Sequence, residues 1–372
     1  MPGFMTHYIL GIKMYQDIPD TLLKESIHRH KNLFRLGLQG PDFLFAYPRT
    51  VIGKKGNHIG SRLHKEKVNL FFENMLTMAC EERERENKEM AVSYISGFLC
   101  HYILDSTMHP YIYDVAGYDP YAPNSNEVNG AHTQLENLLD TWLIQYYKGK
   151  KSLKVRKAAI VVQLTLRETN FLVRFFSASV NGAYYKGSQS KYATTETFIR
   201  HALTFYRITC DLFHDTTGRK RRVMEGVERH TWKYPFVSPL IYPGKDPDIE
   251  AIMNLNHWRW SNPWDRSRVS SESFLDLYQK AQAEGTKIFA SLNAYLEPFY
   301  AGEDVADRKG QLLAVIGNRS YHSGLDCLET ERRLAAGTKW QTPCAPRREA
   351  SWETVKHRRQ EQGMAAGKEK VL

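Results

Sequence analysis

HYILDSTMHP, residues 101–110, sets His101, Asp105 and His109 at steps of four in a segment that begins as AVSYISGFLC and is bound for a protein core. Residues four apart share one face of a helix. The three polar groups therefore form a single stripe, with Ile103 and Leu104 pointing elsewhere, and Pro110 is expected to stop the helix. Buried imidazole and carboxylate are costly unless satisfied. The stripe needs partners, and these are either plain hydrogen bonds or a metal ion.

A second helical pair repeats the pattern. AHTQLENLLD places His132 and Glu136 four apart, with Leu135 and Leu138 on the buried side. His7 lies in the apolar run MTHYILG, Asp42 in GPDF, and His64 is expected to begin the helix HKEKVNLFF. In GPDF, glycine and proline fix a loop that can aim the carboxylate inward. Zinc takes imidazole nitrogen and carboxylate oxygen where thiolate is absent, and a histidine-rich set disfavours magnesium. Taken singly, each residue has an ordinary reading: an intrahelical hydrogen bond for each pair, core filler for His7, a turn for Asp42, a surface helix start for His64. Their joint occurrence within 136 residues favours the metal.

The chain has 372 residues, 42% hydrophobic and 25% charged, which is ordinary globular usage. Five cysteines (Cys80, Cys100, Cys210, Cys327, Cys344) form no CxxC pair, so neither a disulfide framework nor a thiolate zinc site is expected. Cys80 and Cys100 read as buried thiols. The N-terminal MPGFMTHYILGIKMY lacks the basic start, apolar stretch and cleavage site of a secretory signal. The uncharged run Met90–Leu104 falls short of the roughly 20 residues that span a bilayer. A soluble, cytoplasmic protein is the expectation.

Helical periodicity dominates. Asp20 is the expected cap of DTLLKESIHRHKNLF, two helices meet at a charged elbow after HKEKVNLFF, and helical steps recur over 153–184 and 195–213. A Trp-rich loop, NHWRWSNPWD, precedes a last helix that the serines of SSESFLDLYQKAQ can cap. Strand alternation and Gly-rich phosphate loops are scarce. The reading is all-α: one large helical domain over residues 1–325 and a basic, flexible tail over 326–372. Residues 331–372 hold ten basic and five acidic residues, half of the formal charge of +10. A solubilising tail is the favoured reading, with weak association to an anionic membrane or nucleic acid as the other.

The runs THYILG, GLQGPDF, HYILD followed by HP, and AHTQLE resemble the bacterial zinc-dependent phospholipase C family over roughly residues 1–140. NHWRWSNPWD with SFLDLYQKAQ, and IGNRSYHSG near residue 320, resemble segments of that family's signal-less members. The resemblance implies an all-helical fold with up to three zinc ions in one cleft. It makes Asp42, His64, His101 and Asp105 the ligands of one zinc, and lets Asp105 bridge to a second held by His7. It puts His109, His132 and Glu136 around a third, and Asp42 in the place of the general base.

Two departures bear on the ligand set. The family's secreted enzymes complete the second zinc with the amino group and carbonyl of an N-terminal tryptophan, whereas this chain begins Met-Pro. The expectation is that Met1 is removed and the amine of Pro2 substitutes; the alternative is two tightly held metals and a loose third. His58 in GNHIG competes with His64 for one position, and His64 is preferred because its helix would fix its direction.

The reaction implied is hydrolysis of a phosphodiester, phospholipid above all, by a zinc-activated water. The aromatic segments FLFAYP and HWRWSNPW are candidates to line a cleft, although ordinary packing is the more frequent role of such residues. Two other readings stand beside it: a single-strand-specific zinc nuclease of the same fold, and a non-catalytic helical module stabilised by zinc. No specific protein partner is implied.

Overall fold

The computed structural model describes residues 3–47, 59–121, 126–149, 151–161, 163–185, 193–231, 235, 237–243 and 252–336. Helix α6, Arg85–Val115, is its axis, and every residue from Glu89 to Ile112 is buried. A helix covered on all sides needs neighbours all round. They are α1 (Phe4–Asp17), α2 (Leu22–Arg29), α3 (Lys31–Gly37), α5 (Val68–Glu81) and α12 (Phe274–Ala301). Phe98, Ile103 and Leu104 are fully enclosed, each stabilising the fold by about 2 kcal/mol. The stripe of His101, Asp105 and His109 therefore lies in the interior.

The remaining helices are α4 (Ile59–Lys65), α7 (Asn126–Lys148), α8 (Lys157–Val161), α9 (Leu166–Tyr184), α10 (Glu196–Leu212), α11 (Arg219–Thr231), α13 (Ala306–Ile316) and α14 (Cys327–Ala335). The only sheet among the described residues is a hairpin of β1 (Trp260–Asn262) and β2 (Asp265–Ser270), paired antiparallel. The all-α expectation holds. No helix among the described residues is long and apolar enough to cross a membrane.

Several local expectations are corrected. Pro110 does not stop α6, which runs on to Val115. Proline cannot donate to the carbonyl four residues back, here Ser106, and Gly324 packs its bare backbone against that spot. A Cβ on Gly324 would fall 2.5 Å from the Ser106 oxygen and 3.0 Å from Pro110 Cγ, and its φ is +64°. His64 ends α4 rather than beginning a helix, because Lys67 takes a left-handed φ of 55° before α5 starts. Thr21, not Asp20, occupies the N-cap of α2. Cys80 is exposed, while Cys100 is buried as expected.

The Trp-rich segment forms the β hairpin, and α13 and α14 follow the expected last helix α12. Ser273 does cap α12, in a reciprocal box with Asp276. Described chain also extends beyond residue 325: Asp326 caps α14, and Cys327 and Thr330 are buried.

The N-terminus of α1 is held from a distance. Asp140 of α7 accepts hydrogen bonds from the Met5 amide (2.9 Å), the Thr6 amide (2.7 Å), the Thr6 hydroxyl (2.8 Å) and the Tyr242 hydroxyl (2.6 Å). A carboxylate at this end also complements the helix dipole. Gly3 leaves the room, since a Cβ there would lie 2.3 Å from the Asp140 carboxylate. Replacing Asp140 with Ala strands these donors in the interior and is expected to cost about 3 kcal/mol, read as a lowered midpoint of urea unfolding.

Candidate metal centre

Five segments bring eight donors together. α6 supplies His101, Asp105 and His109; α1 supplies His7; α4 supplies His64; α7 supplies His132 and Glu136; a short 3-10 helix, Asp42–Ala46, supplies Asp42. All eight are buried. Their donor atoms fall into three groups, each with its atoms within 4.8 Å of one another: His7, His101 and Asp105; Asp42, His64 and His101; His109, His132 and Glu136. His101 is common to two groups. Asp105 reaches both, with Oδ1 3.1 Å from His7 Nε2 and Oδ2 3.1 Å from His101 Nε2 and 3.9 Å from His64 Nε2. The competing candidate His58 lies outside the described residues, as do Met1 and Pro2.

The local sequence explains the aim of each group. Gly37 and Gly97 let α3 and α6 touch backbone to backbone, since a Cβ on Gly97 would meet the Phe34 oxygen at 2.1 Å. The chain then turns at Gly40, whose φ of +49° suits glycine and whose missing side chain leaves space for the His101 ring. Pro41 and Asp42 follow, so GLQGPDF delivers a carboxylate to the stripe. Asp42 Oδ1 lies 3.2 Å from His64 Nε2, and Oδ2 lies 3.8 Å from His101 Nε2.

Main-chain carbonyls orient three of the imidazoles. Nδ1 of His64 donates to the Gly60 oxygen (2.7 Å), that of His101 to the Leu38 oxygen (3.2 Å), and that of His109 to the Tyr321 oxygen (2.7 Å). A carbonyl only accepts, so each Nδ1 carries the proton, and in the neutral form of each ring Nε2 is left as a lone pair on the carboxylate side. Two lone-pair atoms 3.1–3.2 Å apart repel unless a proton or a cation stands between them. Neither oxygen of Asp105, nor His101 Nε2, has a hydrogen-bond partner. Buried acceptors with no donor, in an N/O set without thiolate, are what zinc fits.

Burial alone would raise the Asp105 carboxyl, but the His101 and His109 imidazoles outweigh it and hold Asp105 well below the usual carboxylate range. Burial pushes His109 and His132 well below the ordinary imidazole value and Glu136 well above the carboxylate range. His132 Nε2 and Glu136 Oε1 are 2.6 Å apart.

The described residues also include neighbours not named as site residues from the sequence, among them Trp264 from the aromatic segment HWRWSNPW and His322 from IGNRSYHSG. Tyr113 continues the stripe one further step of four, and its ring lies 4.5 Å from that of His132. Trp264 and Tyr118 pack on Tyr113 at 5.2 Å and 4.7 Å. His322 places its ring 5.4 Å from His64 and 5.8 Å from His109. Spacing could have found Tyr113 had Pro110 not been taken as a stop; His322 is separated by too much chain for any periodicity to find it. Of the aromatic segments singled out, Phe45 stands exposed beside His64. Phe43 packs on Phe176 and Trp260 on Tyr111, as ordinary core contacts.

Residues 6–185 match the family described as zinc dependent phospholipase C. The match covers just under half of the chain and includes all eight donors. No curated protein and no solved structure matches the chain. The phospholipase C family is zinc-dependent, and the three buried groups found here can each hold a metal ion.

Sharing of ligands predicts unequal losses when donors are removed. Asp105→Asn is expected to cost about two zinc ions per chain and His132→Ala about one, since the first residue touches two groups and the second only one; elemental analysis of the purified variants measures both.

Proposed function

We propose that this centre hydrolyses phosphodiesters in the manner of a phospholipase C, with phospholipid as the substrate. The observation that carries the reading is the Asp105 carboxylate, enclosed, lacking hydrogen bonds on both oxygens, and ringed by imidazole lone pairs. The family match supports the same chemistry. Zinc bound by these residues would supply Lewis acidity toward the phosphoryl oxygens and a water whose pKa falls to about 7.

The chain's own residues supply the rest. Asp42 is the general base in this reading: its Oδ2 has no hydrogen-bond partner and is free to take a proton from the attacking water. The carbonyls of Gly60, Leu38 and Tyr321 hold the imidazoles so that no reorientation is needed during reaction. Phe45, exposed beside His64, offers an apolar surface to an acyl chain. The Tyr113, Tyr118 and Trp264 cluster flanks His132 at the other end and limits solvent there.

That aromatic cluster, with the formal charge of +10, would also suit a stacked base on an anionic strand. Zinc-loaded protein offered phosphatidylcholine micelles and single-stranded DNA separates the two. Release of phosphocholine with intact DNA is the expected result; cleavage of DNA alone transfers the site to a nuclease. Tightly held zinc with turnover of neither substrate would leave a structural metal centre. Asp42→Asn, compared at matched zinc content, is expected to lower turnover about a hundredfold or more.

A further inference from the structure

His322 comes from the loop between α13 and α14, far outside the residues 6–185 that match the family. That loop is fastened to the donors on both sides. The Tyr321 amide donates to the His64 carbonyl at 2.8 Å, and the Ser320 hydroxyl donates to the same oxygen at 3.2 Å. The Tyr321 carbonyl accepts from His109 Nδ1 at 2.7 Å. The loop is closed on itself by Ser320 N to Leu325 O (2.8 Å) and Cys327 N to Asn318 O (2.8 Å), and Gly324 seats it against Pro110.

This rigid strap sets the His322 ring between a histidine of one outer group, His64, and one of the other, His109. Ser320, Tyr321 and Ser323 around it are buried, as are all eight donors, whereas His322 is only half-buried. It belongs to none of the three donor groups. Its ring centre stands 5.4 Å and 5.8 Å from those of two candidate ligands, so the imidazole packs beside both, within hydrogen-bond reach of about 2.9 Å of an oxygen held by the same donors' cations. A neutral imidazole also brings an N–H donor where the neighbouring ring nitrogens offer lone pairs.

We propose that His322 donates a hydrogen bond to the phosphoryl group of the substrate and orients it across the donor row. This rests on the phosphodiesterase reading above, and inorganic phosphate tests it without turnover. Calorimetry on zinc-loaded full-length protein is expected to show phosphate binding about tenfold weaker in His322→Ala, with zinc per chain unchanged. His322→Gln, which keeps an N–H donor, should recover part of the loss, and His322→Met, of similar bulk without a donor, should not. The Gln and Met pair decides the matter even if the Ala variant fails to fold.

Equal phosphate affinity in wild type and His322→Met, or loss of zinc from His322→Met, overturns the proposal. Wild-type protein that binds phosphate through His322 yet turns over no phosphodiester would support the contact while refuting the hydrolase reading.

Discussion

A carboxylate with both oxygens enclosed and no hydrogen-bond donor on either is the constraint around which this protein is organised. Asp105 cannot sit in the middle of a 31-residue helix unless something positive meets it. The imidazoles of His7, His64, His101 and His109 surround it; backbone carbonyls turn His64 and His101 so that Nε2 faces Asp105, and turn His109 so that its Nε2 faces Glu136. A divalent cation satisfies that arrangement better than protons can, because one cation meets several lone pairs at once. With α6 at the centre and neighbours on every side, the carboxylate is enclosed by protein.

The packing around the carboxylate is specialised accordingly. Contact between the backbones of α3 and α6 at Gly37 and Gly97 brings the following loop close enough for Asp42 to reach the stripe. Beyond it, the strap from Asn318 to Cys327 covers the place where Pro110 interrupts the hydrogen bonding of α6. That interruption would otherwise expose the Ser106 carbonyl beside the candidate ligands Asp105 and His109. Family-matched chain and the later segment thus meet at the break, and the later segment sets the His322 ring against those of His64 and His109.

Much of this was legible in the sequence because helical spacing is a local signal. The stripe at 101, 105 and 109, the pair at 132 and 136, and the inward turn of GPDF each depend on residues a few positions apart. The boundaries were harder. Pro110 reads as a stop, yet glycine packing from position 324 accommodates it. The left-handed Lys67 that makes His64 close a helix instead of opening one leaves no mark in hydrophobic pattern. Asp140 and His322 act across 134 and 258 positions of chain on Thr6 and His64, and no periodicity links residues that only the folded topology brings together.

Asp140 and the donors His132 and Glu136 stand at successive steps of four on α7, and Asp140 grips α1 at Met5 and Thr6, immediately before His7. Sliding or tilting α7 as a rigid rod would therefore drag His7 along with the third donor group while α6 stays fixed. One helix thus carries two donors of the third group and also fastens the helix that carries His7, so a single element sets the placement of donors in two of the three groups.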